Sequence, residues 1–261
     1  MCRMLLAVGD FDMNELLDSI ILMAKDLTIL HEHNEKKGSG TWVHKDGWGI
    51  AYLKDGQWTV VKSDKAIFDD QNVNTFKTLK PEAVMLHVRW LTTGERNEND
   101  THPFQIGDHV FCHNGTIRKI HPSNILPKNK YTPKGKTDSE ELFCSILDDF
   151  TGSNPEIIRE RLNSCDIQTG SNVILSTPSK SFVAVHFRKN PIYYKMALGK
   201  KDNTIIVGSE KVAYAKGYAW EYLDNNDLVI IDHLTKRVSI KKELTNTVHK
   251  ENEQPTKERK D

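Results

Sequence analysis

The sequence lacks most of what would mark a membrane protein, a secreted scaffold or a binder of polyanions. No apolar run is long enough to span a bilayer. The most apolar stretch, residues 16–30, is broken by Asp18, Lys25 and Asp26 and fits an amphipathic helix instead. The run from Met4 to Val8 is too short for the hydrophobic region of a signal peptide. Net charge is absent, with 36 Lys and Arg against 36 Asp and Glu, so no global field draws the chain to nucleic acid or to an anionic membrane. Cysteine is scarce. Cys2, Cys112, Cys144 and Cys165 are far apart, with no C-x-x-C, which speaks against a zinc ribbon, an iron–sulfur cluster and a disulfide framework. His31-x-His33 stands alone and reads as a solvated helix end or loop rather than a metal site. No metal and no cofactor is therefore expected. The expected compartment is the reducing cytoplasm, where a nucleophilic thiol survives.

The 261 residues suffice for one domain, or two at most, and no repeat or low-complexity linker divides them. Residues 3–9 read as a buried strand. A helical face follows, carrying Leu16, Leu17, Ile20, Ile21, Ala24, Leu27 and Leu30. Residues 31–45 are polar and read as a mobile loop. Residues 48–53 and 58–62 read as strands joined at the hairpin signal Asp55-Gly56. Residues 83–89 and 110–113 are further strands, the second ending in an expected turn at Asn114-Gly115. Residues 137–150 read as a helix with a capping box, Thr137 as N-cap and Glu140 three residues on. Beyond it the chain reads mostly as strand, at 172–177, 182–188, 192–198, 204–209, 228–232 and 237–241. Short strands with tight links favour antiparallel sheets, whose outer faces helices must cover. One domain is expected over residues 2–245. Residues 246–261 are charged and poor in apolar side chains, and read as a disordered tail.

What is present and unusual is a cysteine directly after the start methionine. A small second side chain permits removal of Met1, leaving Cys2 with a thiol and a free α-amine on one carbon. The amine titrates near about 8 and the thiol near about 8.5, so nucleophile and general base come from one residue. Alone, the position also suits a small buried hydrophobe opening a strand.

Other segments decide between these readings. They are Asp46-Gly47-Trp48-Gly49-Ile50-Ala51, His87-Val88-Arg89-Trp90-Leu91-Thr92-Thr93-Gly94, Asn99-Asp100-Thr101-His102-Pro103-Phe104, His113-Asn114-Gly115 and Thr137-Asp138-Ser139-Glu140. Each has a plain structural meaning: a turn into a strand, a core histidine, a hairpin turn, an acid complementing a helix dipole. Together and in this order, Cys2, H-x-R-W-x-T, H-N-G and T-D-S-E resemble the glutaminase domain of class II glutamine amidotransferases, in the stand-alone form. The resemblance covers roughly residues 2–215.

That resemblance implies an α+β fold of the N-terminal-nucleophile hydrolases, a four-layer αββα sandwich of two antiparallel sheets flanked by helices. It implies Cys2 as nucleophile, with the Asn114 side-chain amide and the Gly115 N–H as donors to the oxyanion. It places Arg89 on the substrate α-carboxylate, with Trp90 and Thr92 beside it, and Asp138 on the α-ammonium. A planar guanidinium and a carboxylate suit the two ends of a zwitterion. Thr93 departs from the histidine that sugar-phosphate members carry there. No acceptor module is expected within the chain. The expected activity is hydrolysis of the glutamine side-chain amide through a Cys2 thioester, releasing glutamate and ammonia, the ammonia passing to a separate synthetase. A free-standing hydrolase of γ-glutamyl amides is the alternative, with residues 31–45 as a lid over the leaving group. A glutamine sensor without chemistry is the non-enzymatic alternative.

Overall fold

The computed structural model describes residues 1–120 and 130–242, so the expected tail at 246–261 lies outside the described residues. Among the described residues thirteen strands form two sheets. The first, in the order β11 (Ala219–Tyr222), β9 (Ala197–Lys201), β10 (Thr204–Gly208), β1 (Arg3–Gly9), β4 (Ala83–Val88), β2 (Trp48–Lys54) and β3 (Gln57–Ser63), has β1 at its centre. The second runs β13 (Val238–Lys241), β12 (Leu228–Asp232), β8 (Lys180–Ala184), β7 (Cys165–Ser176), β6 (His109–Ile120) and β5 (Phe104–Ile106). Every pairing is antiparallel.

The two-residue period of a strand sorts the core into layers. Met4, Leu6 and Val8 of β1 meet Val110 and Cys112 of β6 and Ile174 of β7 between the sheets. Leu5 and Ala7 face the other way, onto Leu16, Leu17 and Ile20 of α1 (Met13–Ala24). On the outer face of the second sheet, Phe111, Val173 and Leu175 pack on Leu142, Phe143 and Ile146 of α2 (Asp138–Leu147) and on Ile158 and Leu162 of α3 (Glu156–Asn163). Helix, sheet, sheet and helix make the αββα sandwich. Because β1 is covered on both faces, it reads as an unbroken apolar run.

Several local expectations are corrected. The first helix stops at Ala24, not Leu30. Asp26 takes a left-handed conformation (φ 59°), and the N–H groups of Asp26 and Leu27 return to the carbonyls of Met23 and Leu22, closing a Schellman stop. Leu27 and Leu30 are consequently 53% and 59% exposed. Asn114-Gly115 is not a turn but the interior of β6, opposite Asn172 and Ser171 of β7. Thr137 caps α2 by accepting from the Glu140 N–H (3.2 Å), but the Glu140 carboxylate accepts from the Gly135 N–H (2.7 Å), so the box closes upstream of the N-cap, at Gly135 rather than on Thr137 itself. Residues 192–194 belong to a short helix, α4 (Pro191–Tyr194), because left-handed Asn190 and Pro191 start a helical turn. The Asp55-Gly56 hairpin forms as read, both residues at positive φ.

Residues 31–45 keep an exposed outer side, at residues 35–37 and 39–41, but are anchored from beneath, with His31, Asn34 and His44 buried. They fold around the buried Asp26 carboxylate. Its Oδ1 accepts from His31 Nε2 (3.0 Å) and Asn34 Nδ2 (2.8 Å), its Oδ2 from the N–H groups of Thr41 (3.1 Å) and Trp42 (2.9 Å). His31 is buried, its imidazole lowered to about 4 chiefly by desolvation. Asp26→Ala leaves the buried His31 and Asn34 donors without a partner, each worth about 1–3 kcal/mol, and frees the half-buried Thr41 and Trp42 amides. The expected result is a loss of roughly 3 kcal/mol in denaturant unfolding, with faster hydrogen exchange at the Thr41 and Trp42 amides. Unchanged exchange there would contradict the staple.

Candidate active site

The N-terminus of β1 and the middle of β6 meet at one end of the space between the sheets. Cys2 shares the inward parity of Met4, and Asn114 that of Cys112. The Cys2 N–H donates to Asn114 Oδ1 (2.7 Å). Asn114 is fully buried, and its Nδ2 is without a hydrogen-bond partner among the described residues. A buried amide donor left open beside a thiol is costly unless something transient fills it. Gly115 follows under tight steric limits. A Cβ there would lie 2.1 Å from the Gly170 carbonyl oxygen and 2.7 Å from His113 Nε2. Beyond it the β6–β7 register slips, and the Ile117 N–H turns to Asp138 Oδ2 (2.6 Å).

Asp138 opens α2, and its other oxygen accepts from the Thr93 hydroxyl (2.6 Å). The residue that departs from the sugar-phosphate pattern is therefore the one that reaches Asp138, while Thr92 is exposed on the same loop. Arg89 follows β4, whose Val88 pairs with Arg3. Its guanidinium is buried and donates to the carbonyls of Glu95 (2.6 Å) and Thr93 (2.8 Å). No ion pair among the described residues joins Arg89 to a carboxylate. Burial lowers its pKa, opposed by the charges of Cys2, Asp100, Asp46 and Asp138. Trp90 stacks on Trp42 with ring centroids 3.9 Å apart, and Trp42 stacks in turn on His33 at 4.5 Å.

The loop bearing Arg89 is shaped by two acids that the sequence reading did not assign. Asp46 Oδ2 accepts from Leu91 N–H (2.9 Å). Buried Asp100 accepts from Glu95 N–H (2.6 Å) with one oxygen and from Lys136 N–H (2.7 Å) with the other. Gly47, at φ 130°, sits where a Cβ would meet Thr101 Oγ1 at 2.8 Å, which accounts for glycine after Asp46. Met1 is attached in this structure, and its terminal amine donates to the Trp90 carbonyl (3.1 Å). Burial pulls that amine below its ordinary 8.0. A cleft of about 1030 Å³ lies at the opposite end of β1, around Gly9, Lys80 and Lys236, and holds none of these residues.

Under the cysteine lies a layer of buried histidines. His87 Nε2 donates to the His113 carbonyl (3.3 Å), and its ring lies 4.2 Å from that of His102. His113 bridges Ser139 of α2 and Ser171 of β7, 2.8 Å to each. His87 thus adopts the core role, and His113 ties the Asn114 strand to the helix that carries Asp138.

Residues 13–169 match the family model described as "Glutamine amidotransferases class-II", and the chain belongs to that family. An uncharacterized Methanocaldococcus jannaschii protein is 24% identical over 219 residues, 72% of this chain and 61% of that one. YafJ of Escherichia coli K12, named as a candidate glutamine amidotransferase, is 29% identical over 126 residues, 46% of this chain and 48% of its own length. This chain therefore spans less than two thirds of those relatives. Among solved structures, the glutamine phosphoribosylpyrophosphate amidotransferase of B. subtilis matches with a TM-score of 0.66 at 14% identity, over 92% of this chain and 49% of that one. A glutamine aminotransferase class-II domain protein from Silicibacter pomeroyi matches with a TM-score of 0.60 at 14% identity, over 92% and 98%. These two share the fold of this chain, the αββα sandwich of two antiparallel sheets. No helix among the described residues is long and apolar enough to cross a membrane.

The histidine layer has a consequence for stability. Burial lowers His87 to about 3 and His113 to about 4. Unfolded, both take up a proton below about 6.5. Between that pH and about 4 the unfolded state binds more protons, so stability falls with falling pH, by up to about 1.4 kcal/mol per unit for each group. Urea unfolding at pH values stepped from neutral to mildly acidic should show this decline, smaller in His87→Gln. A flat profile, or a mutant profile identical to that of the parent, would contradict neutral burial.

Proposed function

We propose that the protein hydrolyses the side-chain amide of glutamine, releasing glutamate and ammonia, with Cys2 as the nucleophile once Met1 has been removed. The observation that carries this reading is Asn114, whose Oδ1 takes the Cys2 nitrogen while its buried Nδ2 is unpartnered. After removal of Met1 the same nitrogen is the α-amine. Asn114 then orients the base with one end of its amide and offers a donor with the other.

The steps follow from that arrangement. The α-amine takes the thiol proton, directly or through a water. The thiolate adds to the amide carbon, and the oxyanion is met by Asn114 Nδ2 and the Gly115 N–H. The ammonium returns a proton to the leaving nitrogen, ammonia departs, and water hydrolyses the Cys2 thioester to glutamate. An oxyanion donor is typically worth about 2.7–4 kcal/mol of transition-state stabilisation. Arg89 and Asp138 are proposed to take the α-carboxylate and α-ammonium, with Trp90 and Thr92 at the rim. Arg89 keeps part of its donor set beyond the two loop carbonyls. Substrate at Asp138 shares a carboxylate already organised by Thr93 and Ile117. Delivery of the ammonia to a separate acceptor enzyme is part of the proposal.

The test is release of glutamate and of ammonia from glutamine and from a panel of γ-glutamyl amides. Glutamine is the expected preferred substrate. Preference for a bulkier γ-glutamyl amide would shift the assignment to a γ-glutamyl hydrolase, and binding of glutamine without release would indicate a sensor. Cys2→Ala should abolish release with the fold intact. Asn114→Ala should lower kcat by about a hundredfold or more, with little change in affinity for glutamate. A loss confined to KM would make Asn114 a binding residue. Arg89→Met and Asp138→Asn should lose turnover without a matching drop in Tm. Low-temperature unfolding of both would refute the zwitterion clamp.

A further inference from the structure

Tyr193 lies outside every motif that the sequence reading used, yet it is held from all sides next to Cys2. Its N–H donates to Glu32 Oε2 (3.0 Å), and its carbonyl accepts from Arg3 Nη1 (2.8 Å). The Arg3 guanidinium carbon sits 4.0 Å from the centre of its ring. The rings of His31 and His33 meet it edge-on, each at 4.8 Å. The phenol reaches the Cys2 carbonyl oxygen (3.1 Å) and His44 Nε2 (3.0 Å). A carbonyl can only accept, so the single phenolic proton is committed to Cys2, and His44 must donate from Nε2. The lone pair of His44 then falls on Nδ1, which is buried without a hydrogen-bond partner. Burial keeps both groups neutral, the phenol well above its ordinary value and the imidazole well below.

We propose that Tyr193, itself held by His44, is a positioning residue for the nucleophile: its O–H pins the carbonyl end of Cys2 while Asn114 pins the nitrogen end. The inference rests on the reading of Cys2 as nucleophile. A terminal residue has no preceding peptide to fix it. The Arg3 peptide of β1 holds it on one side, and anchors on its nitrogen and on its carbonyl oxygen fix the remaining tilt, leaving the thiol its own side-chain rotation. The segment that carries His31, Glu32, His33 and His44 thereby acquires a task. It is a clamp on α4 and, through Tyr193, on the start of β1.

The experiment compares Tyr193→Phe, His44→Leu and His44→Gln with the parent protein. The readouts are kcat and KM for glutamate release from glutamine, the rate of Cys2 alkylation by iodoacetamide across neutral pH, and Tm. Tyr193→Phe should lower kcat by about tenfold to a hundredfold, the scale of a small misplacement of a reacting group. KM should stay within about twofold, Tm should fall by only several degrees, the cost of leaving His44 Nε2–H and the Cys2 carbonyl without their partner, and alkylation should slow in parallel with kcat. His44→Leu should follow Tyr193→Phe, and His44→Gln, which keeps an N–H donor, should recover part of the loss. Should Tyr193→Phe fail to fold, the two His44 variants carry the same comparison. Parent-like kcat in Tyr193→Phe, a change in KM alone, or a loss that merely tracks unfolded protein overturns the inference. A parent protein that releases no glutamate and whose Cys2 resists alkylation overturns the nucleophile reading itself, a separate outcome from an active parent matched by its variants.

Discussion

The site depends on one hydrogen bond between the two sheets. Cys2 lies at the N-terminal end of the central strand of one sheet, and Asn114 lies within a long strand of the other. The 2.7 Å contact from the Cys2 nitrogen to Asn114 Oδ1 ties a chain end, normally the loosest part of a domain, to a fully buried side chain. It is available only because both strands present the right parity toward the shared core. A one-residue slip in either would turn Cys2 or Asn114 to the outer, helix-covered face. The apolar layer of Met4, Leu6, Val8, Val110 and Cys112 therefore does more than stabilise the sandwich, since it sets the register that brings the two residues together.

Around that contact, buried or half-buried carboxylates organise backbone. Asp26 gathers residues 31–42, Asp46 and Asp100 fix the loop after Arg89, and Asp138 joins that loop to β6. Each accepts neutral donors, from backbone, hydroxyl or, at Asp26, a side-chain amide and a neutral imidazole, rather than pairing with a lysine or arginine. Charge-assisted hydrogen bonds of this kind are short and directional, and they let irregular segments approach the cysteine without leaving their amides unsatisfied. The same economy explains the glycines at 47 and 115, where a carbonyl or hydroxyl occupies the space of a side chain.

Much of this was legible in the sequence, for identifiable reasons. The strands at β1, β4 and β12 are apolar runs bounded by polar turns, and Asp55-Gly56 allows little other than a hairpin. Thr137 announced its helix. The motif residues Cys2, Arg89, Asn114, Gly115 and Asp138 do converge at one end of the sandwich. The misreadings have two causes, long-range contact overriding local preference and a local backbone reversal that residue spacing does not show. Asn114-Gly115 is a turn signal by itself and a strand interior only because β7 lies opposite. Leu27 and Leu30 continue a helical spacing that the left-handed Asp26 interrupts. His31 and His33 look solvated until the chain reversal at Asp26 turns that carboxylate onto His31 and Tyr193 arrives from far along the chain. Tyr193 carried no local signal, because its importance lies in a hydrogen bond to a residue 191 positions away.

The central claim is that Cys2 becomes the chain end and carries the acyl group. Intact-protein mass spectrometry of an acid-quenched reaction with glutamine, followed by peptide mapping, addresses both halves at once. The account predicts a chain lacking Met1 and a glutamyl group on Cys2 that disappears as substrate is exhausted. A fully active protein that retains Met1, or a glutamyl group found on any other residue, would contradict it.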